Sequence, residues 1–193
     1  MSHTVPAGIA AFPAPRSLQL KFRLRIANMM IRASKLVLVA GVAFFYLLVV
    51  FNNLTDYNSN AQFVRHVLLM DTTIPGNHGM WRSIASPTAD TVFYVSIILW
   101  EIITGLLLWW GVFRLMRALR QPAAVFNSAK FFPVLALTLS LLMWLVAFLS
   151  VGGEWFLMWQ SKIWNGQEAA FRSFAAFGLV LLFLVQPDSD AQA

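Results

Sequence analysis

Cysteine is absent from this chain of 193 residues, and charged residues are scarce. The lack of cysteine excludes disulfides, thiolate zinc sites, iron–sulfur clusters and cysteine nucleophiles. Charged residues make up 11% of the chain, whereas about 25% is typical of a soluble domain. Hydrophobic residues make up 59%, which leaves too little polar surface to cover a globule in water. This composition excludes an ordinary soluble protein and a disordered chain, and it indicates an integral membrane protein.

Four segments are apolar over nearly the full length that a transmembrane helix needs, which is about 20 residues for roughly 30 Å of hydrocarbon. We predict transmembrane helices at about residues 33–52, 90–114, 131–152 and 168–186. The fourth has the shortest uncharged core, because Arg172 lies near its start. The predicted fold class is an all-α membrane protein, a bundle of four transmembrane helices.

Residues 1–28 differ in composition from the rest of the chain. Their first half is rich in Ala and Pro, which is typical of disorder, and residues 18–25 alternate apolar with polar side chains, which is strand-like. Two explanations stay open: the basic stretch lies on an anionic membrane surface, or the native chain starts at Met29 or Met30. The predicted organisation is a disordered, basic extension over residues 1–28 and one transmembrane domain over residues 29–193.

Basic residues are distributed unevenly between the two sides of the predicted bundle. Ten of the 14 lie before the first span or between the second and third spans. These ten are Arg16, Lys21, Arg23, Arg25, Arg32, Lys35, Arg114, Arg117, Arg120 and Lys130. Because basic residues favour the cytoplasmic side, we predict a multi-pass protein of the bacterial inner membrane with both termini in the cytoplasm. The same distribution accounts for the net charge of +6 without a nucleic-acid partner.

The first loop on the opposite side, Asn52–Asp90, is too long to lack structure of its own. The helical spacing of apolar residues over residues 63–68 predicts a short amphipathic helix. Pro75-Gly76 is typical of a type II turn, and Ser86-Pro87 is typical of a helix N-cap followed by a first-turn proline. We therefore predict a structured extracytoplasmic cap, built by this first loop together with the third.

The third loop, Gly152–Glu168, is rich in tryptophan. Trp155, Trp159 and Ile163 recur every four residues, and Trp164 follows. Since tryptophan favours the headgroup region of a bilayer, this spacing predicts an interfacial helix lying flat on the membrane. A groove for a lipid or a quinone ring is the alternative.

Glu101 is the one acidic residue in the interior of the predicted spans, and it lies near the middle of the second. A carboxylate at that depth costs a few kcal/mol, so it must be paired, protonated or hydrated. Arg172, at the head of the fourth span, is its predicted partner. A structural ion pair or a protonated Glu101 is favoured over a proton or substrate relay.

No pattern in the sequence predicts a catalytic residue, a metal site or a cofactor. The histidines, His3, His66 and His78, all lie outside the predicted spans, which excludes haem ligation within the membrane. His66, Asp71 and His78 do not have the spacing of a zinc site. The sequence therefore favours a non-enzymatic protein without bound metal or cofactor.

The first loop also carries a long and fairly specific motif. It reads NNLTDYNSN over residues 52–60 and FVRHVLLMDTT over residues 63–73, followed by PGN at 75–77 and MWRSI at 80–84. From about Met30 to Gln186, the chain resembles a bacterial family of predicted small integral membrane proteins, described only as a domain of unknown function. The resemblance implies four spans in a bacterial inner membrane and implies no activity.

The resemblance also implies that several residues of the first loop belong to one shared structure. These are Asn52, Asn53, Asp56, His66, Asp71, Trp81 and Arg82. Polar residues of this kind form the caps and turns of a structured loop, which is the favoured interpretation. A binding surface is the alternative.

Three hypotheses for function follow. The first is an accessory or structural subunit that packs in the lipid bilayer beside a larger membrane-protein complex, or as a homo-oligomer. The second is a small transporter or channel lined by Glu101 and Arg172, which predicts a water-filled cavity reaching Glu101. The third is a quinone- or lipid-binding protein, which predicts a cleft at headgroup level where several polar side chains converge.

Overall fold

The computed structural model of the chain describes residues 16–190, and it is helical throughout the four predicted spans. The described residues form six α-helices: α1 Arg16–Thr55, α2 Tyr57–Leu69, α3 Pro87–Ala118, α4 Ala123–Ala129, α5 Phe131–Leu142 and α6 Gln167–Val185. A π-helical segment, Met143–Trp155, continues α5, and short 3-10 turns form at Met80–Arg82 and Met158–Gln160.

Four helical stretches are long and apolar enough to cross a membrane. They are Arg23–Thr55, Pro87–Ala118, Ala123–Trp155 and Gln167–Val185. The prediction of four transmembrane helices is therefore confirmed, although three of the four are longer than predicted. In a bilayer every backbone N–H and C=O must be paired within the protein, and a helix pairs them locally.

The N-terminal stretch differs from the strand-like pattern of residues 18–25. These residues lie within α1, which begins at Arg16 and runs without a break into the first span. A single strand would leave its backbone groups unpaired, whereas a helix pairs them within itself. Residues 16–28, part of the predicted disordered extension, are thus helical, and residues 1–15 lie outside the described residues.

The third span is interrupted near its start. Pro133 has no backbone N–H, and a proline ring clashes with the carbonyl four residues earlier, here that of Ala129. The helix accordingly breaks at Lys130, between α4 and α5. Gly111 of α3 faces this proline, and a Cβ atom at Gly111 would lie 2.7 Å from the Pro133 Cδ atom. The missing side chain allows α3 and α5 to pack closely.

The two long loops pack against each other at one end of the bundle, which we call the cap end. The Thr72 and Ser161 hydroxyls are 2.8 Å apart, and the backbone N–H of Ile74 donates to Gln160 Oε1 at 3.1 Å. The ring of His66 stacks on that of Trp164, with 4.6 Å between centroids. The two loops therefore form one structure, and its extracytoplasmic location stays a prediction.

The first loop has the local structure that its sequence predicts. α2 includes the amphipathic stretch over residues 63–68, and Leu68 of this stretch is buried. Gly76 has a φ of +79°, as the third position of a type II turn requires. The Ser86 hydroxyl accepts a hydrogen bond of 3.3 Å from the N–H of Ala89, so it caps α3.

The third loop does not contain the predicted interfacial helix. Trp155 is the last residue of the π-helical segment, and Trp159 lies in the separate turn Met158–Gln160. Between them Leu157 has a φ of +54°, a left-handed conformation that ends helical structure. The predicted flat helix is therefore wrong, although Trp155 and Trp159 are both exposed, as an interfacial location requires.

At the opposite end, which we call the tail end, residues 186–190 are bound to the bundle by charge. Asp188, whose side chain is 4% exposed, lies 2.7 Å from Lys35 Nζ of α1 and 2.5 Å from Lys130 Nζ. Both ammonium groups also donate to the backbone carbonyl of Gln186, each at 2.7 Å. This cluster connects the first span, the third span and the C-terminal segment.

Candidate functional site

Glu101 lies on the buried face of α3 and is only 3% exposed. Tyr94, Ile98, Thr104 and Leu108 share that face, at the spacing of three and four residues that places side chains on one side of a helix. Glu101 is 14 residues after Pro87, so it lies about 21 Å along the helix from its cap-end start. Its carboxyl group is therefore well inside the bundle.

The partner of Glu101 is Asn53, in the last turn of α1. The Asn53 Nδ2 atom donates a hydrogen bond of 2.6 Å to Glu101 Oε2, and Asn53 is 5% exposed. The Asn53 Oδ1 atom accepts from Asn60 Nδ2 at 2.6 Å and from the Tyr94 hydroxyl at 3.3 Å. Because the two donors bind its oxygen, the amide orientation is fixed with the nitrogen towards Glu101.

The predicted pair between Glu101 and Arg172 is not formed. The Arg172 side chain is 71% exposed, and its nearest acidic partner is Glu168, one turn earlier, at 3.5 Å. Ala170 and Phe177 are buried, so they mark the side of α6 that faces the bundle. Arg172 is two positions after Ala170 and therefore lies on the opposite side of the helix. Within residues 16–190, no Lys, Arg or His side chain forms an ion pair with Glu101.

A cavity of about 260 Å³ surrounds this hydrogen-bonded group. It lies beneath α2 and between the four spans, and its polar lining consists of Asn53, Asn60, Tyr94, Glu101 and Trp144. The apolar lining includes Phe63, Phe148 and Ala169. Polar side chains from α1, α2, α3 and the π-helical segment therefore converge on one space inside the bundle.

A second, almost entirely apolar groove of about 280 Å³ adjoins the cavity. Phe63, Val64, Ile97 and Phe148 line both, so these four side chains form the wall between them. Phe93 and Val146, which line the groove, are 41% and 46% exposed. The groove thus opens on the side of the bundle, where lipid would lie, and it leads towards the cavity that contains Glu101.

A carboxyl oxygen in this region remains available for a ligand. Glu101 Oε1 makes no hydrogen bond to any described residue, whereas Oε2 is bound by Asn53. The indole Nε1 of Trp144 is fully buried and lies near the Tyr46 hydroxyl, which does not line the cavity. The Tyr46 hydroxyl donates to Ser140 Oγ at 2.8 Å. The cavity therefore presents a free acceptor, Glu101 Oε1.

Of the first-loop residues that the sequence singles out, only Asn53 lines the cavity. Asn52 is exposed, and Asp56 accepts a hydrogen bond of 2.7 Å from Ser59 at the start of α2. His66 Nδ1 lies 2.7 Å from Asp71 Oδ2, and both side chains are partly exposed. These residues form the cap around the cavity rather than the cavity itself.

Arg82 connects the two loops through its guanidinium group. This group lies 5.8 Å from the ring of Trp81 and 5.5 Å from that of Trp155, and it donates to the Glu154 carbonyl at 3.4 Å. Trp164 packs against Phe63 and His66. Trp155 and Trp164 of the third loop therefore contact the first loop and help to hold the cap together.

Sequence reasoning missed Asn60, Tyr94 and Trp144 as members of the site. Tyr94 is two turns from Glu101 on the same helix face, which is a usable signal. Asn60 and Trp144 carry no such signal, because the fold brings them to Glu101 from other helices. No group of three or more metal-ligating side chains occurs among residues 16–190.

Comparison with known proteins gives one match. A family model described as a predicted small integral membrane protein (DUF2165) matches residues 31–187, so the chain belongs to that family. No curated protein matches, and no solved structure matches. The chain is thus an integral membrane protein with four candidate spans, from a family to which no function has been assigned.

Proposed function

We propose that this small integral membrane protein binds a lipophilic molecule that enters from the bilayer and places its polar head at Glu101. The observation that supports this is the position of the Glu101 carboxyl group, which lines a mainly apolar cavity beside an apolar, laterally open groove. A ligand pocket is usually apolar with a few convergent polar groups, and this pair of spaces has that composition. Of the three hypotheses from sequence, the binding protein predicts converging polar side chains, and the transporter predicts a cavity that reaches Glu101.

The free carboxyl oxygen defines the head of the ligand. Glu101 Oε1 can accept a hydrogen bond. A hydroxyl group supplies the donor that this oxygen lacks. A ligand with a hydroxyl head and an apolar tail, such as a lipid alcohol or a quinol, fits this pattern. The wall between groove and cavity must open for it, since Phe63 and Phe148 separate the two.

The basic residues support a location in the bacterial inner membrane with both termini in the cytoplasm. Arg25, Arg32, Arg114 and Arg120 all belong to the tail end, while the cap contains few basic residues. Under the positive-inside rule the cap is then extracytoplasmic. The ligand in this proposal enters from the outer half of the bilayer.

The two other hypotheses fit less well. A transporter that uses a Glu101–Arg172 pair loses its premise, because Arg172 lies on the exposed side of α6. A non-enzymatic accessory subunit of a larger complex stays a prediction, and it is compatible with ligand binding. Its support is the extent of exposed apolar surface, which a partner helix or lipid can cover equally.

The proposal is tested with a photoactivatable probe. The protein in phosphatidylcholine nanodiscs is irradiated with a diazirine-bearing fatty alcohol, and labelled peptides are identified by mass spectrometry. We expect labelling to concentrate on peptides that line the groove, around Phe93 and Val146. The methyl ether of the same alcohol lacks the donor and should label these peptides less, because Glu101 Oε1 then gains no hydrogen bond.

Two variants make the test specific. Glu101→Leu removes the acceptor at similar volume, and it should reduce groove labelling about tenfold, the effect of one hydrogen bond of about 1.4 kcal/mol. Glu168→Leu makes the same change on a side chain that is 87% exposed and should leave labelling unchanged. Labelling spread over all lipid-facing helices, or equal in the two variants, would overturn the proposal.

A further inference from the structure

Three arginines line one pocket at the tail end, far from the Glu101 cavity. The pocket has a volume of about 430 Å³ and is lined by Arg25 and Arg32 of α1, by Arg120 just after α3, and by Asp190. The lining thus combines three guanidinium groups with one carboxylate. Because this excess of positive charge faces a single space, the pocket is suited to an anion.

Two of the arginines have no partner among the described residues. Neither Arg25 nor Arg120 forms a hydrogen bond or an ion pair with another residue of the described part of the chain. Both side chains are exposed, and they approach the same pocket from α1 and from the turn after α3. A guanidinium group binds phosphate oxygens through two parallel hydrogen bonds, which makes arginine well suited to phosphate.

Arg32 gives the pocket a fixed and buried wall. Its side chain is 7% exposed, and its Nη1 atom donates to the Gln121 carbonyl at 2.8 Å. Its Nη2 atom lies 3.3 Å from Asp190 Oδ1. Its Nε atom lies 3.8 Å from Asp188 Oδ1, and Asp188 does not line the pocket. The protein itself therefore fixes the position of Arg32 in the pocket wall.

The location of the pocket identifies the source of the anion. Arg25 lies at the start of the first candidate span, and Arg120 lies between the second and third. Leu24 and Ile26, beside Arg25, are each 45% exposed and apolar. The pocket therefore lies where the apolar surface of the bundle ends, which is the level of phospholipid phosphates.

From these observations we propose that the pocket of Arg25, Arg32 and Arg120 binds the phosphate of an anionic phospholipid headgroup. The acyl chains of that lipid extend from the pocket towards the bilayer centre, past Met30 and Ile31, which are exposed apolar residues of α1. This inference does not depend on the ligand proposed for Glu101, because the two sites share no residue and lie at opposite ends of the bundle.

The test measures lipids retained by the full chain after release from nanodiscs, by native mass spectrometry. The nanodiscs contain equal parts of phosphatidylcholine and phosphatidylglycerol. We expect the wild-type protein to retain phosphatidylglycerol preferentially. Arg25→Gln with Arg120→Gln should lower that retention by about tenfold per arginine removed, because each loses a charge-assisted hydrogen bond to the phosphate.

A matched double variant separates a site from general surface charge. Arg114→Gln with Arg117→Gln removes the same charge from the same end of the bundle, but these arginines contact Phe132 and Phe113 and do not line the pocket. It should retain phosphatidylglycerol as the wild type does. An equal loss in both double variants, or no preference in the wild type, would overturn the proposal.

A second arm distinguishes a lipid from free phosphate. Inorganic phosphate is added to protein in phosphatidylcholine nanodiscs, and the melting temperature is compared with that in phosphatidylglycerol nanodiscs at equal ionic strength. We expect stabilisation of the wild type by phosphatidylglycerol and none by inorganic phosphate. Equal stabilisation by the two would show that the pocket binds a soluble anion, which contradicts a lipid site.

Discussion

Asn53 of α1 donates a hydrogen bond of 2.6 Å to Glu101 of α3, and both side chains are buried. The Asn53 amide thus gives the buried Glu101 carboxyl group a hydrogen-bond donor. Without it, a Lys or Arg side chain would have to provide that donor. The amide is itself held by Asn60 and Tyr94, so the first loop and the second span determine its orientation.

The first prediction concerns this pair. Asn53→Leu removes the donor and leaves Glu101 Oε2 buried and unsatisfied, which should lower the free energy of unfolding by about 1–3 kcal/mol. Adding Glu101→Leu should restore part of the loss, because the double variant leaves no unpaired carboxyl group. Unfolding in mixed micelles gives both values. The control is Asn52→Leu, a neighbouring exposed position that should have little effect; an equal loss there contradicts the assignment.

The second prediction concerns the tail cluster. Asp188→Asn removes the anion that Lys35 and Lys130 share and leaves two buried ammonium groups without it. Loss of one partner of a buried ion pair costs about 3–5 kcal/mol, so a fall in stability of that order is expected. Thermal unfolding in detergent measures it. Asp190→Asn, on a side chain that is 60% exposed, should cost less; equal costs would mean that burial of Asp188 is not decisive.

The third prediction is the pH dependence of the same cluster. Burial raises the pKa of Asp188, but the hydrogen bonds and charges of Lys130 and Lys35 lower it by more, so it lies below the ordinary value of 3.8. A pKa that is lower in the folded state means that the ionised carboxylate stabilises the fold above the unfolded-state value. That contribution disappears as the pH falls through the folded-state value.

The measurement for this prediction is a difference between two proteins. The melting temperatures of the wild type and of Asp188→Asn should differ at neutral pH, approach each other as the pH falls below the ordinary value of 3.8, and converge only below the lower folded-state pKa of Asp188. The comparison cancels the other carboxyl groups, which titrate in both proteins. If the difference between the two melting temperatures stayed constant down to acid pH, protonation of Asp188 would not determine the stability of the cluster.

Much of the fold can be predicted from sequence because the membrane restricts the choices. Apolar runs of sufficient length must be helices in a bilayer, so the four spans follow from the position of the apolar segments along the sequence. Ser86 and Gly76 were also informative, because a cap and a left-handed turn depend on neighbouring residues only. Local chemistry was therefore a sufficient guide at these positions.

The partner of Glu101 could not be predicted in the same way, because it depends on how the helices are rotated. Arg172 has the right charge, but Ala170 and Phe177 occupy the inner face of α6 and turn Arg172 outwards. Their spacing of seven residues was a signal that could have indicated the inner face. Asn53 carries no charge and lies at the predicted end of a span, so only the packing of α1 on α3 identifies it.

The third loop shows a second limit of sequence periodicity. Trp155, Trp159 and Ile163 have helical spacing, yet the chain between them adopts a left-handed conformation at Leu157. Packing of Phe156 and Leu157 with the apolar side of α2 accompanies this turn. Contacts with a distant part of the chain thus prevail over the local pattern, and such contacts cannot be derived from spacing.

The fourth prediction concerns the close contact between α3 and α5. Gly111→Ala would place a Cβ atom 2.7 Å from Pro133 Cδ and 3.0 Å from its backbone nitrogen, and the rigid proline ring cannot move aside. The helices must separate, which should cost about 1–3 kcal/mol in thermal unfolding. Gly41→Ala is the control, because no atom lies within 4 Å of its added Cβ. A similar melting temperature for both variants would contradict this packing.

The fifth prediction concerns sidedness. Gln121 accepts a hydrogen bond from Arg32 at the tail end, whereas Asn77 lies in the cap, where it bonds to Thr73. An odd number of spans separates the two positions, so a protein of this fold must expose them on opposite sides of the membrane. Reporter fusions should therefore be active in the cytoplasm at Gln121 and outside it at Asn77, because the basic residues cluster at the tail end. Reporter activity on the same side at both positions would contradict the four-span arrangement. Activity outside at Gln121 and in the cytoplasm at Asn77 would be compatible with the fold, but it would place the Glu101 cavity in the cytoplasmic half of the bilayer.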